Sequence, residues 1–442
     1  MFFRKKTFRG GIHPPDCKDT ATEKTTTFPA PARVFIPMVM HIGAPARVLV
    51  KKGDTVRKGA CIGEAGGKIS APVHSSISGT VVKVATYPHP AGNTITTVEI
   101  ENDFSDTEVT LPPIHNWHET ASDVLIQRIS EAGIIGKGGA SFPTAVKLTP
   151  PPGVNIDTLL INAAECEPYL TADYRLMLEN TEEFLHGVAI AKRILDTEQT
   201  IIGIEKNKPE AISALSRAIK RSSRYSFIEL VPLETKYPQG GEKQLISALT
   251  GREVPHGKLP LAVQTVVLNT GTAKAIHDAV LLGKPLVERI VTVTGPTVQK
   301  PGNYRIPVGT PVQDIVSQCE ADLSATSKVI LGGPMMGLAL ADLRAPILKS
   351  TSGVLCLPEK TPAQQSAPCI NCGNCVKACP MRLVPSHFAK FVENERFDAL
   401  EEAHITDCID CGCCTFTCPS KINIVHAIKL GKQTLKENNR TL

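Results

Sequence analysis

Aromatic residues are scarce in this chain: 5% of 442 residues, with a single tryptophan. No basic tract carries interleaved aromatics, and a net charge of +5 is too small to demand a polyanionic partner. Nucleic acid is therefore not among the expected ligands. No window approaches the ~18–20 apolar residues that cross a bilayer. The start, Met1-Phe-Phe-Arg-Lys-Lys-Thr-Phe-Arg9, is charged but has no apolar run behind it, unlike a secretion signal. Membrane association is expected only through partners or through that short basic end. Ser/His/Asp sets and general-base constellations at useful spacing are missing too. The bulk composition is ordinary, with 21% charged and 42% hydrophobic residues. It suits about three domains, or four small ones.

Cysteine is the exception. Eight of the fourteen lie in two runs of identical spacing. The first is Cys369-x-x-Cys372-x-x-Cys375-x-x-x-Cys379-Pro380; the second, 39 residues on, is Cys408-x-x-Cys411-x-x-Cys414-x-x-x-Cys418-Pro419. Paired runs of this kind hold two [4Fe–4S] cubanes. Three thiolates spaced two apart converge from one tight turn, and the fourth reaches the other cube. The expected ligand sets are Cys369, Cys372, Cys375 and Cys418 for one cluster, and Cys408, Cys411, Cys414 and Cys379 for the other. Zinc ribbons take four ligands each, usually as two C-x-x-C pairs, and would leave thiols over. Disulfides would need an oxidising compartment. The other six cysteines (Cys17, Cys61, Cys166, Cys319, Cys356, Cys413) read as plain thiols, Cys413 as a bystander next to Cys414.

Residues 1–112 read as all-β, with short apolar runs such as Ala46–Val50 and Thr80–Val84 cut by glycine turns. Val50-Lys-Lys-Gly53-Asp54 through Ser78-Gly79-Thr-Val resembles a lipoyl or biotinyl carrier hammerhead. Lys68 would then sit where a carrier's modified lysine does. Its Gly66-Gly67 neighbours lack the carrier motif, so an unmodified scaffold is expected. His13 and His74 read as structural hydrogen-bonders.

Residues 113–285 change character. Ser122 to Gly133 reads as a helix with Ser122 as N-cap and Gly133 as stop. A glycine loop, Gly136-Lys-Gly138-Gly139-Ala-Ser141-Phe-Pro143, runs into Thr144–Lys147. Glycines let a backbone approach a ligand, and a helix start offers N–H groups to phosphate; a tight structural turn is the bland alternative. Thr158–Ile161, Ile201–Ile204 and Phe227–Val231 are continuous apolar strands, separated by helical patterns at Glu183–Leu195 and Pro209–Lys220. That alternation predicts a parallel α/β sheet of Rossmann-like type, with ligands at the carboxyl ends of its strands. Asn162 to Pro168 occupies such an end, and Gly240-Gly241-Glu242 opens another helix. Residues 286–345 return to period-two strands around one helix, Val312–Ser317; Met335 and Met336 read as packing. Thr361–Ser366 reads as a polar linker within 346–442. Helices are expected there at Ser386–Val392, Asp398–Ala403 and Asn423–Leu435.

Gly136–Lys147, Asn162–Pro168, Gly240–Leu245 with Gly251-Arg252, and Asn269-Thr270 resemble, in order, the flavin and NADH segments of the 51 kDa subunit of respiratory complex I. With Gly10-Gly-Ile-His-Pro-Pro15 and the double cysteine run added, the whole chain resembles the RnfC family, the peripheral subunit of ion-translocating NADH:ferredoxin oxidoreductase (Rnf) complexes. The resemblance implies four domains: a barrel-sandwich domain (1–112), an FMN/NADH-binding α/β domain (113–285), an SLBB-like β-grasp domain (286–345) and a mostly helical double [4Fe–4S] ferredoxin-type domain (346–442). It implies non-covalent FMN at Gly136, Gly138, Gly139, Lys147, Asn162, Asn269 and Thr270, with Glu165, Glu167 and Glu242 beside FMN and NADH. Ser141, Ala164 and Cys166-Glu-Pro-Tyr169 depart from the complex I pattern. The implied function is NADH oxidation through FMN, with electrons passed singly through two clusters to partner subunits, membrane-integral and ferredoxin-like, at the cytoplasmic face of the membrane. Two alternatives stand beside it: a soluble-system reductase of the cobalamin-reductase kind, which carries its barrel at the other end, and a non-catalytic iron–sulfur adaptor.

Overall fold

A computed structural model describes residues 6–359 and 366–438. Met1–Lys5 of the basic end and residues 361–365 of the expected linker lie outside them.

Four parallel strands form the centre: Thr158–Ala163, Gln199–Glu205, Ile228–Leu233 and Thr265–Asn269. In space the order is 228–233, 199–205, 158–163, 265–269. These strands are covered on both faces, which is why they read as unbroken apolar runs rather than alternating ones. Leu159, Ile161, Ile202 and Leu268 pack against the helices Ser122–Glu131, Thr181–Leu195, Pro209–Arg221 and Thr270–Leu281. Leu160, Ile201, Val231 and Val267 pack on the other side against Glu242–Thr250. Fully buried side chains such as Ile276 and Phe184 each contribute about 1.5–3 kcal/mol. The helix Thr181–Leu195 carries Glu182 and Glu183 in its first turn and Lys192 and Arg193 in its last, matched to the macrodipole. The strand Thr265–Asn269 was hidden in the sequence behind the Asn269-Thr270 motif.

Two expectations in this region are corrected. The N-cap of Ser122–Glu131 is Ala121, without a side-chain cap; the Ser122 hydroxyl instead accepts from Arg193 at 3.2 Å. The helix expected after Pro143 is a single turn, Thr144–Lys147, so little helix dipole acts there.

The N-terminal barrel pairs a four-stranded sheet (Arg33–Pro37, Thr94–Asn102, Gly79–Pro88, Thr55–Val56) with a three-stranded one (Arg47–Val48, Cys61–Glu64, Val73–His74). Lys68 sits exposed in the loop between the last two strands. Residues 6–28 add no strand to either of these two sheets. Thr26–Thr27 instead adds an edge strand to the β-grasp sheet. That six-stranded sheet also reaches beyond 345, because Gly353–Pro358 lies between Glu288–Thr294 and Thr326–Leu331. The C-terminal region is helical, with Pro385–Glu393 and Ile424–Asn438 packed around Phe388, Leu400, Ile405 and Ile428.

Candidate functional site

The glycine loop is closed at its base by Gly136 N–H donating to Phe142 O at 2.8 Å. It is pinned to its neighbours through Lys137. The Lys137 N–H donates to Thr272 Oγ1 at 2.9 Å, and its carbonyl accepts from Arg289 at 2.8 Å. Gly139 has φ +88°, and a Cβ there would meet no protein atom within 4 Å. The loop is thus open on the side a ligand would fill. The Lys137 ammonium is buried near Arg289 and Lys274, and burial holds its pKa well below the ordinary lysine value.

Asn162 and Asn269 are register partners at the carboxyl ends of adjacent strands. Asn162 Nδ2 donates to Gly240 O at 2.7 Å, and Thr270 Oγ1 donates to Asn162 O at 3.0 Å. Asn269 Oδ1 caps the helix Thr270–Leu281 through the N–H groups of Gly271 and Thr272, while its Nδ2 donates to Asp173 at 2.6 Å. A Cβ on Gly138 would stand 3.2 Å from the Asn269 side chain. Lys147 and Glu242 form an ion pair at 2.7 Å. Gly138, Asn162, Gly240, Asn269 and Thr270 therefore come together at the carboxyl ends of the strands. Thr144 Oγ1, just after the glycine loop, and Gln239 Nε2, just before Gly240, are buried without a hydrogen-bond partner. An open glycine cradle and unspent polar atoms fit a flavin mononucleotide. Arg252 stands apart, forked onto Asp157 at 2.7 and 2.8 Å.

Two of the expected carboxylates are already engaged. Glu165, at φ +48°, accepts from Asp173 N–H at 2.7 Å and Tyr174 N–H at 3.2 Å, in the first turn of the helix Ala172–Glu179. Glu167 accepts from Met335 N–H at 3.1 Å and Met336 N–H at 2.9 Å, tying the flavin domain to the β-grasp domain. Burial pushes both carboxyls up to about 7. Sequence reasoning missed the groups that hold this corner. Lys18 donates to the carbonyls of Glu165, Glu167 and Leu170 at 3.0, 3.0 and 2.5 Å, and Asp173 holds Asn269. Neither carries a local signal, since both act across distant parts of the chain.

The cysteine runs form two matching turns, each leading to a one-turn helix: Asn374–Ala378 and Cys413–Thr417. Ala378, next to Cys379, packs with Cys411 and Cys413. At the other end, Ala367 N–H donates to Ser420 O at 2.9 Å and Ser420 Oγ to Pro368 O at 3.1 Å. Those bonds bring the start of the first run beside Cys418. The donor arrangement fits two crossed four-thiolate sets. Cys413 is fully buried, its Sγ 3.9 Å from Tyr237 O.

Between flavin site and cysteines lies a small apolar contact of Ile12, Tyr237, Ala378, Cys411 and Cys413, with Cys166 and Met335 against it. Tyr237 OH donates to Cys411 O at 2.9 Å, and Gln244 Nε2 lies 3.1 Å from Met381 Sδ. The Gly10-Gly11-Ile12 segment threads this junction: Gly11 N–H donates to Ala378 O, and Ile12 exchanges backbone bonds with Tyr237. Gly10 and Gly11 have φ near +80°, and Cβ atoms there would stand 2.5 Å from Cys379 O and 2.7 Å from Tyr237 O. Only glycine fits between the two domains.

Comparison with known proteins agrees with this layout. Residues 6–105 match the RnfC barrel sandwich hybrid domain, 129–278 the Nuo51 FMN-binding domain, 290–339 the SLBB domain and 368–422 the 4Fe–4S dicluster domain. A subunit of the Na(+)-translocating ferredoxin:NAD(+) oxidoreductase complex of Acetobacterium woodii is 44% identical over 444 residues, covering 100% of this chain and 99% of that one. The chain belongs to the RnfC family. The corresponding subunit of the proton-translocating ferredoxin:NAD(+) oxidoreductase complex of Clostridium ljungdahlii is 44% identical, with 91% and 88% covered. Its counterpart in the ion-translocating oxidoreductase complex of Pseudomonas aeruginosa is 41% identical, and this chain covers 56% of its length. An NAD+-reducing [NiFe]-hydrogenase chain overlaps 70% of this chain at TM-score 0.48 and 22% identity, too loosely to argue from. The domain order expected from the sequence is the one these RnfC-family matches follow.

Proposed function

We propose that this RnfC-family chain is the NADH-oxidising, electron-distributing subunit of an ion-translocating complex. FMN would be held without a covalent bond by Gly136, Gly138, Gly139, Lys147, Asn162, Asn269 and Thr270; the two [4Fe–4S] clusters would be held by the crossed cysteine sets. When bound, FMN supplies two-electron hydride chemistry with NADH, and the clusters supply one-electron carriage. The chain's own part is placement. Thr272 and Arg289 pin the glycine loop, Thr270 and Asn162 lock the neighbouring strand ends to each other and to Gly240, and Glu242 with Lys147 forms a charged edge where NADH can approach. Glu165 and Glu167 stiffen this corner by accepting main-chain N–H groups. Tyr237, Ile12 and Met335 exclude water between the flavin site and Cys411.

The observation that carries this reading is the shared junction: Tyr237 donates to Cys411 O and stands three residues before Gly240, whose carbonyl Asn162 holds. Purified protein should therefore release free FMN on acid treatment and oxidise NADH with an artificial one-electron acceptor. Full cluster content with no NADH oxidation would leave only an adaptor. Among the described residues no helix is long and apolar enough to cross a membrane. The attachment proposed is to the cytoplasmic face, through partner subunits. Retention in the bilayer fraction after high-salt and alkaline washing, without partners, would contradict that attachment.

A further inference from the structure

The chain beyond the helix Glu242–Thr250 reaches the cluster domain and is tied there by side chains. Glu253 accepts from Arg382 at 2.7 Å, and His256 is hydrogen-bonded to Asp407 through Nδ1. His404 approaches from the cluster domain, its ring edge-on to that of His256 with centroids 4.7 Å apart. Two imidazole nitrogens and a carboxylate oxygen thus converge, all within 4.8 Å of one another. Among the described residues no other trio of His, Cys, Asp or Glu side chains meets this closely.

We propose that His256, His404 and Asp407 form a zinc site that clips the flavin domain to the cluster domain. Two imidazoles and one carboxylate, with a fourth position for water, suit zinc; calcium and magnesium prefer all-oxygen sites. Tetrahedral binding at about 2.0–2.1 Å brings donors to about 3.3 Å apart. The imidazoles are exposed and can turn inward without disturbing a core. Lys243, 3.9 Å from Asp407, is the cation the metal would displace. Asp407 directly precedes Cys408, so the metal would fix the start of the second cysteine run against the flavin domain. The site involves neither the flavin cradle nor the cluster thiolates, and its fate is separable from theirs.

The test uses the full chain with its clusters assembled and iron measured before and after. Protein is equilibrated with zinc chloride, dialysed, and its zinc counted and probed by X-ray absorption. The expected result is about one zinc per chain with nitrogen and oxygen neighbours near 2.0 Å and no sulfur near 2.3 Å. His256→Gln and His404→Gln should each weaken retention by about tenfold or more, with iron unchanged. Retained zinc should raise the melting temperature of wild type and of neither variant. Zinc bound through sulfur, zinc indifferent to both substitutions, or no retained zinc would each overturn the proposal.

Discussion

Cys372 stands at the surface, with Ile370 beside it 66% exposed, whereas its counterpart Cys411 is buried and Ile409 packs, as Met335 does, against the cluster that holds Ile12 and Tyr237. The backbones around them are nearly the same. Asn371 and Asp410 both have φ 55°, Gly373 and Gly412 have φ 72° and 76°, and Arg382 and Lys421 have φ 58° and 55°. One ligand-presenting turn has been built twice. The space beyond it differs, since a Cβ on Gly373 would meet nothing within 4 Å while one on Gly412 would meet Met335 at 3.4 Å. The cysteine spacing therefore encodes a cluster-binding turn, and residues far away decide which turn faces the flavin domain. Gly10–Ile12, Tyr237 and Met335 close over Cys411, Cys413 and the Ala378–Cys379 end of the first run, so the proposed set of Cys408, Cys411, Cys414 and Cys379 would be the inner one.

The largest effect should come from cutting the supply to both runs at once. Gly139→Val places a β-branched side chain at φ +88°, which costs about 1–2 kcal/mol locally, and fills the cradle without striking protein. Flavin content and NADH oxidation should fall about 100-fold or more, with iron intact. Gly53→Val, at φ +92° and equally open but in the barrel, should keep both. Full flavin in Gly139→Val would mean the loop is only a turn. Next come the ligands. Cys379→Ser and Cys418→Ser should each lose about four of eight irons, the first stripping the second-run cluster and the second the first-run cluster. Loss of the same cluster in both would break the crossed assignment.

Smaller effects should single out the inner run. Tyr237→Phe deletes the donor to Cys411 O and should destabilise the junction by about 1–2 kcal/mol. Thermal bleaching should then reach the second-run cluster before the first. The smallest effect concerns pH. Glu167, which holds the Met335 loop over Gly412, is raised by burial from 4.5 to about 7. Its folded value lies above its unfolded one, so its contribution is full below about pH 4.5 and is lost as pH rises through about 7. Melting temperature measured across about pH 5 to 8 should fall less steeply in Glu167→Gln than in wild type; equal slopes would remove Glu167 from the account.

Much of this was legible because it is local. Cysteine spacing, the glycine loop and unbroken apolar strands each carry their structure in consecutive residues. The β-grasp sheet was only partly legible, because Thr26–Thr27 and Gly353–Pro358 join it from segments whose sequence says nothing about their partners. Glu165 and Glu167 stood out in the sequence, but their hydrogen bonds to Asp173, Tyr174, Met335 and Met336 did not. Lys18 escaped altogether: a lysine serving three carbonyls about 150 residues away along the chain leaves no mark in its own neighbourhood. His13 was read correctly as a structural group, its Nδ1 lying 3.2 Å from Thr235 O.

The claim that the second-run set is inner is tested most directly by reducing the two serine variants with NADH and following the surviving cluster by electron paramagnetic resonance. In Cys418→Ser the surviving second-run cluster should be reduced by NADH at close to the wild-type rate. In Cys379→Ser the surviving first-run cluster should respond to dithionite and hardly at all to NADH. If NADH reduces the first-run cluster normally in Cys379→Ser and fails to reduce the second-run cluster in Cys418→Ser, the order is reversed and the Tyr237 junction is not the route.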